Sequence, residues 1–321
     1  MLGTISAPWT ATLSPAQHML IYYFLVAAAL ALLAGLLRSI ITRNEVGARF
    51  RTAVVARMGI KAVALASYLI LIYKFEIGYD LTDAGYVPNS EAINTIGLRY
   101  MEWTVSVPLL CVELLAVCAV VGVTARRTRA IAIGGSFFMI FSGYLGAIVI
   151  GGGENVRALV TFGLISCIFW GVVVLVLVRA VRASLPQLTP DAAALLRRAT
   201  ILLMSGWVVY PLVYVLQIVT DGGAWMTVIQ IVLCTADVVV KIGFAGFIHR
   251  VAQLRTAEDV RAGDDVHPEA IWISSIKQSD AGLPQVVYLD DSLVAHRRRP
   301  QPPQSQAVPS QLPPIADSVD D

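Results

Sequence analysis

The stretch Asp237-Val-Val-Val-Lys241-Ile-Gly-Phe244 decides how this chain is read. Lys241 stands near the middle of the last long hydrophobic segment. A lysine near a bilayer midplane costs about +2.5 to +3.5 kcal/mol on insertion scales, and by default it marks function. Asp237 comes four residues earlier, so both side chains fall on one helical face. A buried amine one turn from a carboxylate suits a structural ion pair, a proton relay or the site of a Schiff base. These two residues alone leave all three open.

Composition bounds the setting. Of 321 residues, 57% are hydrophobic and only 14% charged, with a mean hydropathy of +0.70. That excludes an ordinary soluble domain and points to a multi-span membrane protein. The net charge of +2 says little about partners. Cys111, Cys118, Cys167 and Cys234 all lie in apolar runs without metal-ligand or disulfide spacing, so they read as packing residues and no metal site is expected. The N-terminus shows no signal-peptide cleavage pattern, so the first span is expected to act as its own insertion signal.

Seven apolar segments are long enough to cross a bilayer, at about 16–37, 53–74, 97–122, 129–150, 156–181, 197–219 and 225–249. The expected fold is therefore an all-α membrane protein, a seven-transmembrane helix bundle. Arginines mark alternate connections: Arg38, Arg43, Arg49 and Arg51, then Arg126, Arg127 and Arg129, then Arg179, Arg182, Arg197 and Arg198, and finally Arg250 and Arg255. By the positive-inside rule these share the cytoplasmic side, with the N-terminus outside and the C-terminus inside. The organisation reads as an extracellular N-terminus (1–15), a membrane domain (16–250), a cytoplasmic extension (251–299) and a Pro/Gln/Ser-rich disordered tail (300–321). A hairpin is expected in the loop at about 75–96, and another in the extension, from Ile271–Ile276 and Val286–Leu289.

The third span carries Arg99, Glu102, Ser106 and Glu113, spaced three, four and seven, on one helical face. Two carboxylates and a hydroxyl inside a span suggest a proton path. Arg99 is expected to lean outward and pair with Glu102, which leaves Glu113 without an account. The sixth span has Trp207, Tyr210, Pro211 and Tyr214, an aromatic stripe that suits core packing, with Pro211 expected to kink the helix.

With these residues in view, the chain resembles the microbial rhodopsins over about residues 15–250. The resemblance rests on Arg99-Tyr-x-Glu102-Trp103 with Ser106, Pro108 and Glu113; on Met139 and Gly143; on Trp207-x-x-Tyr210-Pro211-x-x-Tyr214; and on Asp237-x-x-x-Lys241. It implies seven helices around all-trans-retinal bound to Lys241 as a Schiff base, with Glu102 and Asp237 as counterions. Arg99 and Tyr68 would form an outer gate. Trp103, Ser106, Leu110, Met139, Gly143, Trp207, Tyr210, Pro211 and Tyr214 would line the retinal pocket, and Glu113 would take the place of the cytoplasmic proton donor. The resemblance also implies a light-responsive protein, not an enzyme, in a bacterial plasma membrane. There it would form a homo-oligomer, trimer or pentamer, with a possible cytoplasmic signalling partner and no nucleic acid.

This sequence departs from the family pattern in three places. The primary counterion is Glu102, where most pumps have aspartate. Val107 and Ser136 replace a Thr–Asp pair that often links two helices. Tyr214 replaces a tryptophan. Arg57 is a further oddity. It lies eleven residues from Tyr68, as Glu113 lies eleven from Glu102, so both are displaced about 16 Å toward the cytoplasm and share a depth. A buried arginine beside this Glu–Ser–Glu set resembles the cryorhodopsin subgroup from cold-environment bacteria. Paired with Glu113, Arg57 would favour its ionised form and make it a poor donor. The function expected on this basis is a slow-cycling photosensor with weak light-driven proton translocation; the alternative is an efficient outward proton pump. Lys61, one turn from Arg57, has no assigned role.

Overall fold

A computed structural model describes residues 5–263. Among these residues are seven long helices: α1 (Pro15–Ile41), α2 (Arg51–Ile77), α3 (Asn94–Ala116), α4 (Gly122–Val149), α5 (Val156–Ser184), α6 (Pro190–Val219) and α7 (Gly223–Ala262). Each packs against the next, and α7 returns to α1, so the helices close into a ring. Six are long and apolar enough to cross a membrane on composition alone. The seventh, α3, carries the three ionisable residues Arg99, Glu102 and Glu113. Leu30, Val55, Leu164, Ile168 and Leu212 are exposed on the outside of the bundle, as lipid contact requires.

Local signals set the helix ends. Ser14 and Gln17 form a reciprocal capping box, with Pro15 at the first helical position of α1. Asn155 caps α5 by accepting from the Ala158 N–H. Gly263, at φ 83°, closes α7 in the left-handed conformation. Between α2 and α3, strands β1 (Tyr79–Thr82) and β2 (Gly85–Pro88) pair antiparallel, a hairpin within the loop where one is expected. Leu13 and Tyr86 exchange backbone hydrogen bonds at 2.9 Å, tying the N-terminal segment to this hairpin. Gly85 is needed there: its φ is +108°, and a Cβ would lie 2.7 Å from the Leu13 carbonyl oxygen.

Several boundaries differ from the sequence reading. α4 starts at Gly122, not near 129, so Arg126, Arg127 and Arg129 are helical rather than in a loop. Arginine is a good helix former whose long stem reaches water from a helix end, so charge alone does not stop the helix. α7 likewise runs beyond 250 to Ala262, twelve residues past the expected domain boundary. The expected cytoplasmic hairpin and the tail from 300 lie outside the described residues.

Candidate functional site

The middle of α7 is not regular. Residues Val239–Phe244 form a π turn, and Lys241 sits within it. Single π turns inside α-helices recur at functional positions. Gly206 of α6 makes room for it, because a Cβ there would collide with Val240.

Lys241 Nζ lies 2.8 Å from Glu102 Oε2 and 2.9 Å from Asp237 Oδ1, and all three side chains are buried. The two carboxylates are not equivalent. Asp237 Oδ1 also accepts from the Tyr210 hydroxyl at 2.8 Å and from Trp103 Nε1 at 3.3 Å. Its Oδ2 accepts from the Tyr68 hydroxyl at 2.9 Å and lies 3.6 Å from Arg99. Glu102 has Lys241 alone on Oε2. Among the described residues its Oε1 and the Ser106 hydroxyl are buried with no well-aligned hydrogen bond, although Ser106 lies beside Glu102. Asp237 is thus the hub of the network, and Glu102 is the carboxylate with unused hydrogen-bonding capacity.

Arg99 corrects one expectation. It does not pair with Glu102, and it is buried, at 2% exposed. It donates to the Tyr68 hydroxyl at 3.0 Å, to Gln230 Oε1 at 2.7 Å and to Cys234 Sγ at 3.3 Å. A buried guanidinium has five N–H groups to satisfy, and one carboxylate a turn away cannot do so. Sequence reasoning missed Gln230 and took Cys234 for packing. The signal was present: Gln230, Cys234, Asp237 and Lys241 are spaced four, three and four, one face of α7.

Above Lys241 a cavity of about 250 Å³ opens inside the ring. Trp103, Ser106, Leu110, Met139, Gly143, Trp207, Tyr210, Pro211 and Tyr214 all line it, and among the described residues Lys241 is the only amine that does. Tyr214 donates to the Leu159 carbonyl at 2.9 Å. A Cβ at Gly163 would lie 2.8 Å from the Tyr214 ring, and one at Gly146 2.6 Å from its hydroxyl.

Arg57, Lys61 and Glu113 occupy a second buried layer, toward the arginine-rich end. The expected contact between Arg57 and Glu113 is absent. Arg57 donates to the Ser39 carbonyl at 3.3 Å and to Thr42 Oγ1 at 3.2 Å, and Lys61 donates to Ser39 Oγ at 3.1 Å. Backbone and hydroxyl acceptors at the end of α1 take the hydrogen bonds of these cations, and the Glu113 carboxylate takes none of them. Both Glu113 oxygens are buried without a hydrogen-bond partner, yet Arg57 and Lys61 remain its electrostatic neighbours. Arg57 is 5% exposed, so it does not extend to the headgroups.

The bacteriorhodopsin-like protein family matches residues 18–254 of this chain. Archaerhodopsin-1 of Halorubrum ezzemoulense is 27% identical over 189 residues, 59% of this chain and 67% of that protein. Archaerhodopsin-3 of Halorubrum sodomense is 25% identical over the same shares. Xanthorhodopsin, described as a light-driven ion pump with dual chromophore, superposes with a TM-score of 0.69 at 23% identity, over 77% of this chain and 98% of that one. A thermophilic rhodopsin gives 0.70 at 24% identity, over 79% and 99%. These two superpositions show the fold. The family match shows membership: the chain belongs to the bacteriorhodopsin-like family of microbial rhodopsins, photoactive transporters and sensors rather than enzymes. It is a multi-pass membrane protein of a family that binds retinal through a Schiff base, usually all-trans at rest. The residues fit that group. An apolar, aromatic-walled cavity ends on one amine, and that amine has two carboxylates beside it.

Proposed function

We propose that this protein is a slow-cycling photosensor with weak light-driven proton translocation. Retinal held on Lys241 as a Schiff base supplies light absorption and isomerisation. The chain's own residues govern the proton movements. Glu102, bonded to Lys241 at 2.8 Å through Oε2 and with Oε1 buried and unused, is the proton acceptor. Asp237, saturated by Tyr68, Tyr210 and Trp103, stays ionised as the fixed counter-charge. Arg99 and Tyr68 form the outer gate, and Glu113 with Arg57 the inner control point.

The observation that carries the slow reading is closure of the arginine-rich end. The last turns of α7 are tied to all three loops there. Thr256 accepts from the Gly47 N–H at 3.0 Å, Arg255 donates to the Val117 carbonyl at 2.7 Å, and Thr189 donates to Glu258 at 2.5 Å. Behind this layer, Arg57 and Lys61 are electrostatic neighbours of Glu113 in a buried, low-dielectric interior. Return of a proton from that side is therefore slow. Slow return keeps the activated state populated, which suits signalling better than turnover. The buried arginine with Glu102, Ser106 and Glu113 supports assignment to the cryorhodopsin subgroup. Arginine-rich loops support a cytoplasmic C-terminus in a bacterial plasma membrane, and the exposed apolar belt accommodates lipid and further copies in a homo-oligomer. The alternative, an efficient outward pump, rests on the buried carboxyl of Glu113. Time-resolved absorption with pH recording in illuminated vesicles tests the reading: recovery in seconds or longer supports the sensor, and recovery in tens of milliseconds with sustained acidification of the medium supports the pump.

A further inference from the structure

His249 and Glu45 take no part in the site described above. Glu45 lies in the loop between α1 and α2, and its side chain is 33% exposed. His249, 7% exposed, meets it from α7 with Nε2 2.8 Å from Oε2, and Gln253, one turn on, donates to the same oxygen at 2.5 Å. An imidazole thus stands between a solvent-facing carboxylate and the buried interior. The charged groups that face it are Glu45 as counter-charge, with Arg38 of α1 and Arg57 of α2 as like charges. Arg57 in turn has Glu113 as an electrostatic neighbour. Ser39 joins Arg57, through its carbonyl, to Lys61, through its hydroxyl, and Lys61 faces Glu113. The other ties of α7 to the loops do not offer the same chemistry. Thr256–Gly47 and Arg255–Val117 involve neither an imidazole nor a carboxylate, and Arg49–Asp259 is a surface pair.

An imidazole can accept a proton on one ring nitrogen and release one from the other. A neighbouring carboxylate orients the ring and fixes which nitrogen faces it. We propose that His249, oriented by Glu45, is the group that takes up protons from the medium at the arginine-rich end and passes them inward toward Glu113. The ring gains a proton on one nitrogen and releases one from the other, so it ends each transfer unchanged in charge. This assignment rests on the reading that light moves protons through the bundle.

The test uses the full retinal-loaded chain in lipid vesicles, flash excitation and a pH-indicating dye. The parent should take up protons at a rate that varies with pH. His249→Gln retains an amide donor for Glu45 and removes the titrating ring. Uptake should slow about a hundredfold or more and lose that pH dependence. His249→Ala should slow as much and recover when imidazole is added. The parental rate and pH profile in either variant without imidazole would overturn the role of His249 while leaving light-driven proton movement standing. A parent that exchanges no protons with the medium would overturn both. Infrared difference spectra of the parent with isotope-labelled histidine need no variant: an imidazole band should rise and decay with uptake, and its absence would overturn the assignment.

Discussion

Arg57 and Glu113 share one buried layer without forming an ion pair. The guanidinium is spent on the Ser39 carbonyl and the Thr42 hydroxyl, and the carboxyl has no hydrogen-bond partner. Any influence of one on the other therefore travels through charge across a low-dielectric gap, not through a shared bond.

Removing that charge should change the kinetics. Arg57→Ala is expected to shorten recovery after a flash; Glu113→Gln in the parent should have little effect on it, and in the Arg57→Ala background should remove the gain. Time-resolved absorption of the parent, both single variants and the double variant forms the cycle. Additive effects of the two substitutions would mean that the residues act separately.

Lys241→Ala should abolish the visible band. Among the described residues no other amine lines the cavity, and the nearest rival by burial, Lys61, is bonded to Ser39. Spectra of the variant expressed with retinal check this; a retained visible band removes Lys241 from the role.

Asp237→Asn and Glu102→Gln should separate by stability. Asp237 holds Lys241, Tyr68, Tyr210 and Trp103 together, so neutralising it leaves buried charge uncompensated and is expected to cost about 3–5 kcal/mol. Glu102→Gln should cost less and act chiefly on the colour and pH titration of the visible band. Thermal bleaching measured beside the titration decides, and the reverse ranking would make Glu102 the hub.

Gly206→Ala should disturb the π turn, since the new methyl collides with Val240 next to Lys241. Overpacking of this kind costs about 1–3 kcal/mol. A shifted visible band with a lower bleaching temperature is expected. Parental values for both would show that the turn is held by something other than this contact.

At the hairpin end, Lys74 Nζ lies 2.7 Å from Glu91 and holds that exposed carboxyl below the usual carboxylate range. A carboxyl whose value is lowered by folding stabilises the fold above its unfolded value, and that contribution is lost as pH falls through the folded one. Melting of the parent and of Glu91→Gln should therefore differ slightly at neutral pH and converge in acid. A gap that widens on acidification would contradict the sign.

Much of this architecture is legible in the sequence because the bilayer demands long apolar runs, and seven of them are visible. The spacing of Asp237 and Lys241 and the charged face of α3 bring the centre of the site together before any coordinates. The helix starts hidden under arginines are less legible, as at Gly122, because charge there does not break a helix. Partner choice is also hidden. Which acceptor Arg99 finds depends on how α3 meets α7, and spacing within α3 offers only Glu102. Ser39 is another case: a lone serine in an apolar span gives no sign that its carbonyl and hydroxyl hold two cations of α2.

The π turn at Val239–Phe244 has a consequence far from the cavity. Such a turn carries one residue more than an α turn, and each residue of a helix advances its phase by about 100°. Delete one residue there and everything from Ala245 onward rotates by that angle. His249 then turns from Glu45, Arg255 from Val117 and Glu258 from Thr189. The extra residue thus sets the phase of the whole terminal segment, and any rewinding around Lys241 is delivered as torque to three loops at once.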